Sequence, residues 1–230
     1  MTPPLAQFFR ERGDEPTCVE RGGLCPGWIA DNLDRYWTPL VEHLVLTLVS
    51  VGAGLAIAFA LALLAHRRRG LVGPITQVTG ILYTIPSLAL FFLLLPITGR
   101  GTLTAVVALT AYTLLVLFRN IVDGLAEVPP EARDAGRGMG LTDGQLLWRV
   151  ELPLALPAIV TGLRIATTTT VALAALAFYA GAGGLGAPME AAKAFDSNVV
   201  VAGGLCVLLA VALDGLLLLL QRALTPWSRA

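Results

Sequence analysis

The residues able to do chemistry in this chain are few and widely spaced. His43 and His66 flank a single apolar run, and the cysteines are Cys18, Cys25 and Cys206. A structural zinc site needs a tetrahedral set of such ligands, and none stands near the cysteine pair, so no metal site is expected. Aspartates and glutamates are too scattered to work as an acid–base pair. No P-loop or dinucleotide fingerprint is present. The pattern argues against enzymatic catalysis and leaves thiol oxidation, ion pairing and the lining of a polar path.

Each of these has candidates. Cys18 and Cys25 close the stretch CVERGGLC, in which Gly22 and Gly23 let a short loop form. A disulfide is expected if that side is oxidising, and two free thiols if it is not. Arg164 and Asp214 are isolated charges inside apolar runs. Such residues face protein or water, which makes them an expected pair, with snorkelling of Arg164 to the interface as the alternative. Tyr83, Pro86, Ser87 and Tyr112, with Thr167 and Thr168 of a four-threonine run, are candidates for lining a path. The threonines have a plainer reading too, since each hydroxyl can bond back to its own helix.

The elements that position these groups are membrane helices. The composition is 56% hydrophobic and 14% charged, against about 25% charged in soluble domains. A spanning helix takes about 20 apolar residues. Residues 44–65, 72–98, 102–118, 154–179 and 199–220 qualify, so about five transmembrane helices are expected in an all-α, polytopic fold. Pro86 should kink or break the second. Net charge is zero, and no basic arm suggests nucleic acid.

Basic residues orient the chain. Arg67, Arg68 and Arg69 follow the first span, and Arg119, Arg133, Arg137 and Arg149 crowd the loop after the third. These mark the cytoplasmic side, which puts the N-terminus outside and the C-terminus, with a 227–230 tail, inside. Residues 1–43 carry several charges and no cleavage signature, so they read as an external amphipathic segment and not a signal peptide. Leu5, Phe8 and Phe9, then Trp28, Ile29, Leu33, Tyr36 and Trp37, suggest a helix lying at the membrane interface. A short helix is expected near residues 189–195, after a glycine-rich run.

Between the third and fourth long runs the chain turns polar, EARDAGRGMGLTDGQLLWRVELPLALP. Pro129, Pro130 and Glu131 open a short helix that Gly140 ends. Thr142 and Gln145 have the spacing of a capping box and start a second helix, which presents Leu146, Leu147, Trp148 and Val150. Pro153 and Pro157 mark a turn back into the membrane. Such an elbow either offers its apolar side chains to a partner groove or lies on the bilayer with Trp148 at the interface.

This stretch resembles the signature of inner-membrane permease subunits of binding-protein-dependent ABC importers. The family pattern is Glu-Ala-Ala, three residues, Gly, nine residues, Ile, one residue, Leu-Pro. Asp134, Ala135 and Gly136 stand at the triplet, Gly140 at the glycine, Val150 at the isoleucine, and Leu152 and Pro153 at the end. Three positions depart from it: Asp134, Gly136 and Val150. Gly136 weakens the first helix by about 1 kcal/mol relative to alanine. The pieces TIPSLAL, RGMGLTDGQLLWRVELPLALPAIVTGLRIAT and GAGGLG are similar to the osmoprotectant branch, which serves glycine betaine, carnitine, choline and related solutes.

The resemblance implies a type I importer permease fold. Its transmembrane domain would span residues 44–226, with a coupling loop at about residues 125–153 that docks on an ATPase. It also implies partners: a second permease subunit, identical or not, two cytoplasmic ATPases that bind ATP and Mg²⁺, and an external substrate-binding protein. No cofactor is expected in this chain itself. Cargo of another kind, an amino acid or a different betaine, is the nearest alternative. A secondary carrier or a membrane scaffold is the more distant one, and a carrier would show an internal repeat that the sequence lacks.

Overall fold

The computed structural model describes Cys18 and residues 22–225. Leu5, Phe8 and Phe9 of the expected amphipathic segment, and the 227–230 tail, lie outside the described residues. Among the described residues there is no strand. The helices are α1 (Pro26–Asn32), α2 (Trp37–Arg67), α3 (Val72–Thr84), α4 (Ser87–Thr98), α5 (Thr102–Ala126), α6 (Pro130–Gly138), α7 (Asp143–Leu146), α8 (Leu152–Ala174), α9 (Gly186–Ala191) and α10 (Asp196–Leu224).

Among the described residues, four helical stretches are long and apolar enough to cross a membrane: Pro26–Arg67, Thr102–Ala126, Asp143–Ala174 and Asp196–Leu224. The pair Arg69–Thr84 and Ser87–Thr98 makes a fifth if it counts as one broken span. Pro86 thus breaks its helix outright. The carbonyl of Ile85, freed at the break, accepts a hydrogen bond from the Tyr112 hydroxyl of α5, which meets the demand that backbone groups in apolar surroundings be paired.

By packing, the chain forms two compact units. One comprises Ser50–Pro86, Leu109–Thr170 and the residues from Ala212 onward. Its core sets large side chains of α5, namely Leu117, Phe118, Ile121 and Leu125, against Ala58, Ala62 and Ala65 of α2 and Ala155, Ile159 and Ala166 of α8. Small residues govern these crossings, as expected where lipid is as apolar as leucine and only close packing favours association. A Cβ on Gly124 would sit 2.8 Å from Ala158 Cβ and 3.2 Å from the Ala155 carbonyl oxygen. One on Gly54 would fall 1.8 Å from Thr113 Oγ1.

The other unit comprises the residues up to Val49, Ser87–Ala108 and Val171–Val211. Here Cys18 and Cys25 form a disulfide with a Cα separation of 6.0 Å. The loop they close fastens to the start of α10: Asp196 N–H donates to the Gly22 carbonyl at 2.8 Å, and Cys25 N–H donates to Ser197 Oγ at 2.7 Å. The aromatic residues differ from the interfacial reading. Trp28 packs edge-on against Phe195, with centroids 4.7 Å apart, and the Tyr36 hydroxyl donates to Asn198 Oδ1. Both are buried because this unit supplies them partners, whereas Leu33 and Trp37 stay exposed.

His43, at the edge of the first apolar run in the sequence, lies within α2. It is fully buried, with Nε2 2.9 Å from the Val171 carbonyl oxygen and Nδ1 accepting the Leu185 N–H at 3.3 Å. The adjacent Glu42 accepts the Gly184 N–H at 2.9 Å. Gly183 and Gly184, at φ +76° and +84°, supply the left-handed backbone that this approach requires. The short helix expected at residues 189–195 forms earlier, as α9, while Ala192 and Phe195 turn inward to the packed cluster.

Because Gly124 leaves no room for a side chain, Gly124→Val should destabilise the helix packing by about 2 kcal/mol. The check is the midpoint of detergent-induced unfolding in mixed micelles, expected to fall relative to wild type.

Candidate functional site

The polar stretch between α5 and α8 folds as an elbow with both corners capped. Pro129 is extended (φ −56°, ψ 135°), and Pro130 opens α6 with Glu131 in its first turn, where a missing N–H costs nothing and a negative charge meets the helix dipole. At the far end Gly140 N–H bonds the Arg137 carbonyl at 2.9 Å and Leu141 N–H bonds the Gly136 carbonyl at 3.2 Å. These are the two bonds of a Schellman stop, whose left-handed residue is Gly140 at φ +81°. Nothing lies within 4 Å of where a Gly140 Cβ would be, so backbone conformation and not space demands glycine.

A capping box starts the second arm. Gln145 N–H donates to Thr142 Oγ1 at 3.4 Å, and Thr142 N–H donates to Gln145 Oε1 at 3.0 Å. The arm α7 runs into a π-helical stretch, Leu147–Glu151, in which Leu152 N–H reaches back to the Leu147 carbonyl. It then continues as α8, giving one helical run, Asp143–Ala174. The turn expected at Pro153 and Pro157 is therefore absent. Pro153 sits in the first turn after the π stretch and Pro157 is held inside α8; a π stretch shifts backbone pairing by one residue and so eases a proline into a helix.

The elbow presents a different face from the one its sequence suggested. Leu146 and Leu147 are 3% and 6% exposed, so they face the protein and not a partner. Leu147 belongs to the core of its unit. Leu146 Cδ1 lies 2.6 Å from where a Gly136 Cβ would project, which explains why glycine replaces alanine at that point of the motif: the two arms close on each other there. Leu152 is buried as well, and Val150 and Pro153 are half-buried. Asp134, Ala135, Met139, Gly140, Thr142, Asp143, Gln145, Trp148 and Arg149 are exposed. Trp148 also stands 6.2 Å from the Phe59 ring of α2. Together they line an open apolar groove of about 550 Å³ with Leu55, Leu156 and Ile159.

At the base of the elbow lies a group that sequence reasoning passed over. Glu151 is 4% exposed. Its Oε1 accepts Arg133 Nε at 2.7 Å, and its Oε2 is 3.0 Å from His66 Nε2. Arg133 Nη2 further donates to the Leu125 carbonyl at 2.6 Å. A buried carboxylate needs a charged partner, which Arg133 supplies, and further hydrogen bonds. Glu151 falls in the unspecified position of the motif, and His66 looked like the end of a span; a buried acid in a polar loop gives no local signal.

The remaining candidates separate. Arg164 and Asp214 pair side-on through two hydrogen bonds, Nε to Oδ1 and Nη2 to Oδ2, each 2.8 Å. Tyr83 is 42% exposed, and its ring centroid is 5.9 Å from that of Tyr112. Tyr112 is buried and committed to the Ile85 carbonyl, so its hydroxyl serves the helix break. Pro86 is exposed at that break and Ser87 opens α4. Thr167 is 3% exposed and bonds the Leu163 carbonyl at 2.7 Å. Its hydroxyl is thus spent on its own helix, and its side chain is packed within this chain. Thr168 is half-buried and shares its hydroxyl proton between the Arg164 and Ile165 carbonyls at 3.1 Å. Among the described residues no group of His, Cys, Asp and Glu could hold a metal ion.

Comparison with known proteins converges on one family. The family described as "Binding-protein-dependent transport system inner membrane component" matches residues 43–229. The osmoprotectant import permease protein OsmW of Salmonella typhimurium is 39% identical over 206 residues, covering 86% of this chain and 96% of that protein. The choline transport system permease protein OpuBB of Bacillus subtilis is 33% identical over 187 residues, covering 80% and 86%. Among solved structures, an inward-facing form of the MetNI methionine ABC transporter is similar with a TM-score of 0.72 at 26% identity, covering 83% of this chain and 96% of that one.

The two caps should hold the elbow independently. Thr142→Ala removes the side-chain acceptor for the Gln145 amide, at a cost of about 1 kcal/mol. Hydrogen exchange of the residue 145 amide should then speed up roughly fivefold in that variant, while Arg137 exchange stays at the wild-type rate.

Proposed function

The chain belongs to the binding-protein-dependent transport system inner membrane components, and from that premise we propose that it is the permease subunit of an ATP-driven importer of osmoprotectants. Glycine betaine, choline, carnitine and proline are its expected solutes. The observation that carries the cargo is the 39% identity to an osmoprotectant import permease over almost the whole of that relative.

In this reading the elbow is the coupling device. Arg67, Arg68 and Arg69 at the end of α2 and just beyond it, with Arg133, Arg137 and Arg149 in the elbow, support a cytoplasmic position for it. The N-terminus then lies outside and the C-terminus inside. Residues 44–226 act as the permease domain, and residues 1–43 with their disulfide stand on the external side. Two such permease subunits, identical or not, pair in the membrane. Each elbow docks on one of two ATPase chains, which bind ATP and Mg²⁺, and an external binding protein delivers the solute.

The exposed face formed by Ala135, Met139, Gly140, Thr142, Gln145 and Trp148 is the docking surface. Closure of the ATPases draws the elbows together. Because α7 and α8 are one helical run, that movement passes directly into a membrane-crossing helix. A quaternary ammonium solute is attracted to aromatic faces, and Tyr83, exposed beside the break at Pro86, suits a low-affinity contact on its way.

Amino-acid cargo is the second reading, favoured by the likeness to the methionine transporter at 26% identity. Uptake into proteoliposomes carrying the assembled complex and its binding protein separates the two. Radiolabelled betaine, choline or proline should accumulate only with ATP inside, and methionine should not compete. Accumulation of methionine, or uptake without ATP, would falsify the osmoprotectant reading. Gly140→Asp places a side chain and a charge in the left-handed stop, which costs about 1 kcal/mol or more. It should cut ATP-driven uptake by roughly tenfold while the protein still inserts, as judged by yield from the membrane fraction.

A further inference from the structure

The Glu151 carboxylate draws three parts of one unit together. Arg133 brings α6, His66 brings the end of α2, and through Arg133 Nη2 the Leu125 carbonyl brings the end of α5. Glu151 itself is the last residue of the π stretch that joins the elbow to α8.

Apolar packing joins α2, α5 and the elbow's second arm through Leu147, which leaves the hold of α6 on the helices behind it to be accounted for. Between α2, the start of α3, α5 and α6 lies a half-open cleft of about 310 Å³, walled by Ala62, Ala65, Val72, Val122, Leu125 and Ala126. His66 and Arg133 also line it. Arg133 is the one α6 side chain on its wall, so no apolar contact across the opening holds α6 to the helices behind it. The ion-pair network is what crosses the gap. Its geometry is directional: Arg133 spans two acceptors, Glu151 Oε1 at 2.7 Å and the Leu125 carbonyl at 2.6 Å. A lysine in its place reaches one of them, since only guanidinium offers a fork of donors.

We propose that Glu151, gripped by Arg133 and His66, is the positioning residue that makes the elbow, α2 and α5 move as one body when the partner ATPase closes. The proposal rests on the importer reading above. Without the grip, the elbow still docks but its displacement is absorbed at the cleft instead of reaching α2 and α5.

The test uses the assembled complex. Glu151→Gln keeps the shape and removes the charge. The ratio of ATP hydrolysed to solute imported should rise about tenfold, with the KM for the solute unchanged. Arg133→Lys should uncouple too, although it preserves charge. His66→Gln, which keeps a donor at the Nε2 position, should stay coupled, and His66→Leu should not.

A readout independent of cargo uses spin labels at Gly138→Cys, exposed on α6 with open space around it, and Arg67→Cys. Their separation within one chain should be the same with and without ATP in the parent, and should change with ATP in Glu151→Gln. Glu151→Gln with the parent's ratio and an ATP-invariant separation overturns the proposal. If Glu151→Gln does not assemble, His66→Leu with the parent's ratio overturns it equally. A parent complex whose labels behave as stated but which imports no osmoprotectant contradicts the cargo reading and leaves the joint intact.

Discussion

Backbone satisfaction is the constraint on which the rest of this structure depends. Apolar surroundings offer no water to an unpaired N–H or carbonyl, yet this chain interrupts its helices repeatedly. Three of these interruptions are closed by named groups, one at the Pro86 break and two in the exposed elbow. Tyr112 serves the Ile85 carbonyl at the Pro86 break. The Schellman bonds and Gly140 stop α6, and Thr142 with Gln145 start α7. An elbow capped at both corners has few ways to deform, which is the property that the proposed coupling to an ATPase requires.

Stiffness in the elbow is useful only if it reaches the membrane helices. In the unit that holds the elbow, α5 is the pillar, with Phe118 and Ile121 fully buried against alanines of α2 and α8. Glycines at 54 and 124 allow that approach, because a Cβ at either would meet neighbouring atoms. The continuous run from Asp143 through Ala174 carries the elbow's second arm into this packing. Its first arm has no such apolar seam, and there Glu151, Arg133 and His66 make the connection. A buried charge network is a poor source of stability when hydrophobic replacements would pack as well, which makes its use here easier to understand as positioning.

Legibility in the sequence followed the range of each interaction. The apolar runs reveal helices because span length is set by the bilayer. The caps around Gly140 and Thr142 are visible because both partners of each bond lie within a few residues. Arg164 and Asp214 can be matched at a distance because isolated charges in apolar runs have few other partners. Leu146 and Leu147 were misread as outward-facing because their inward partners, Gly136 and the core of α2 and α5, come from other elements. The turn at Pro153 was misplaced because no residue pattern announces a π stretch. His43 and His66 gave no signal, since their partners are a backbone carbonyl, an amide and an acid far along the chain. Trp28 and Tyr36 resemble an interfacial belt until Phe195 and Asn198 are placed beside them.

The central claim is that this elbow is the surface on which an ATPase acts. It is tested most directly by cysteine cross-linking in the assembled complex, comparing Asp143→Cys on the exposed tip with Leu146→Cys on the buried face. The account predicts that Asp143→Cys joins to the ATPase chain, with a yield that changes when ATP is bound, and that Leu146→Cys does not. An intact, transporting complex in which no exposed elbow position cross-links to the ATPase would contradict it.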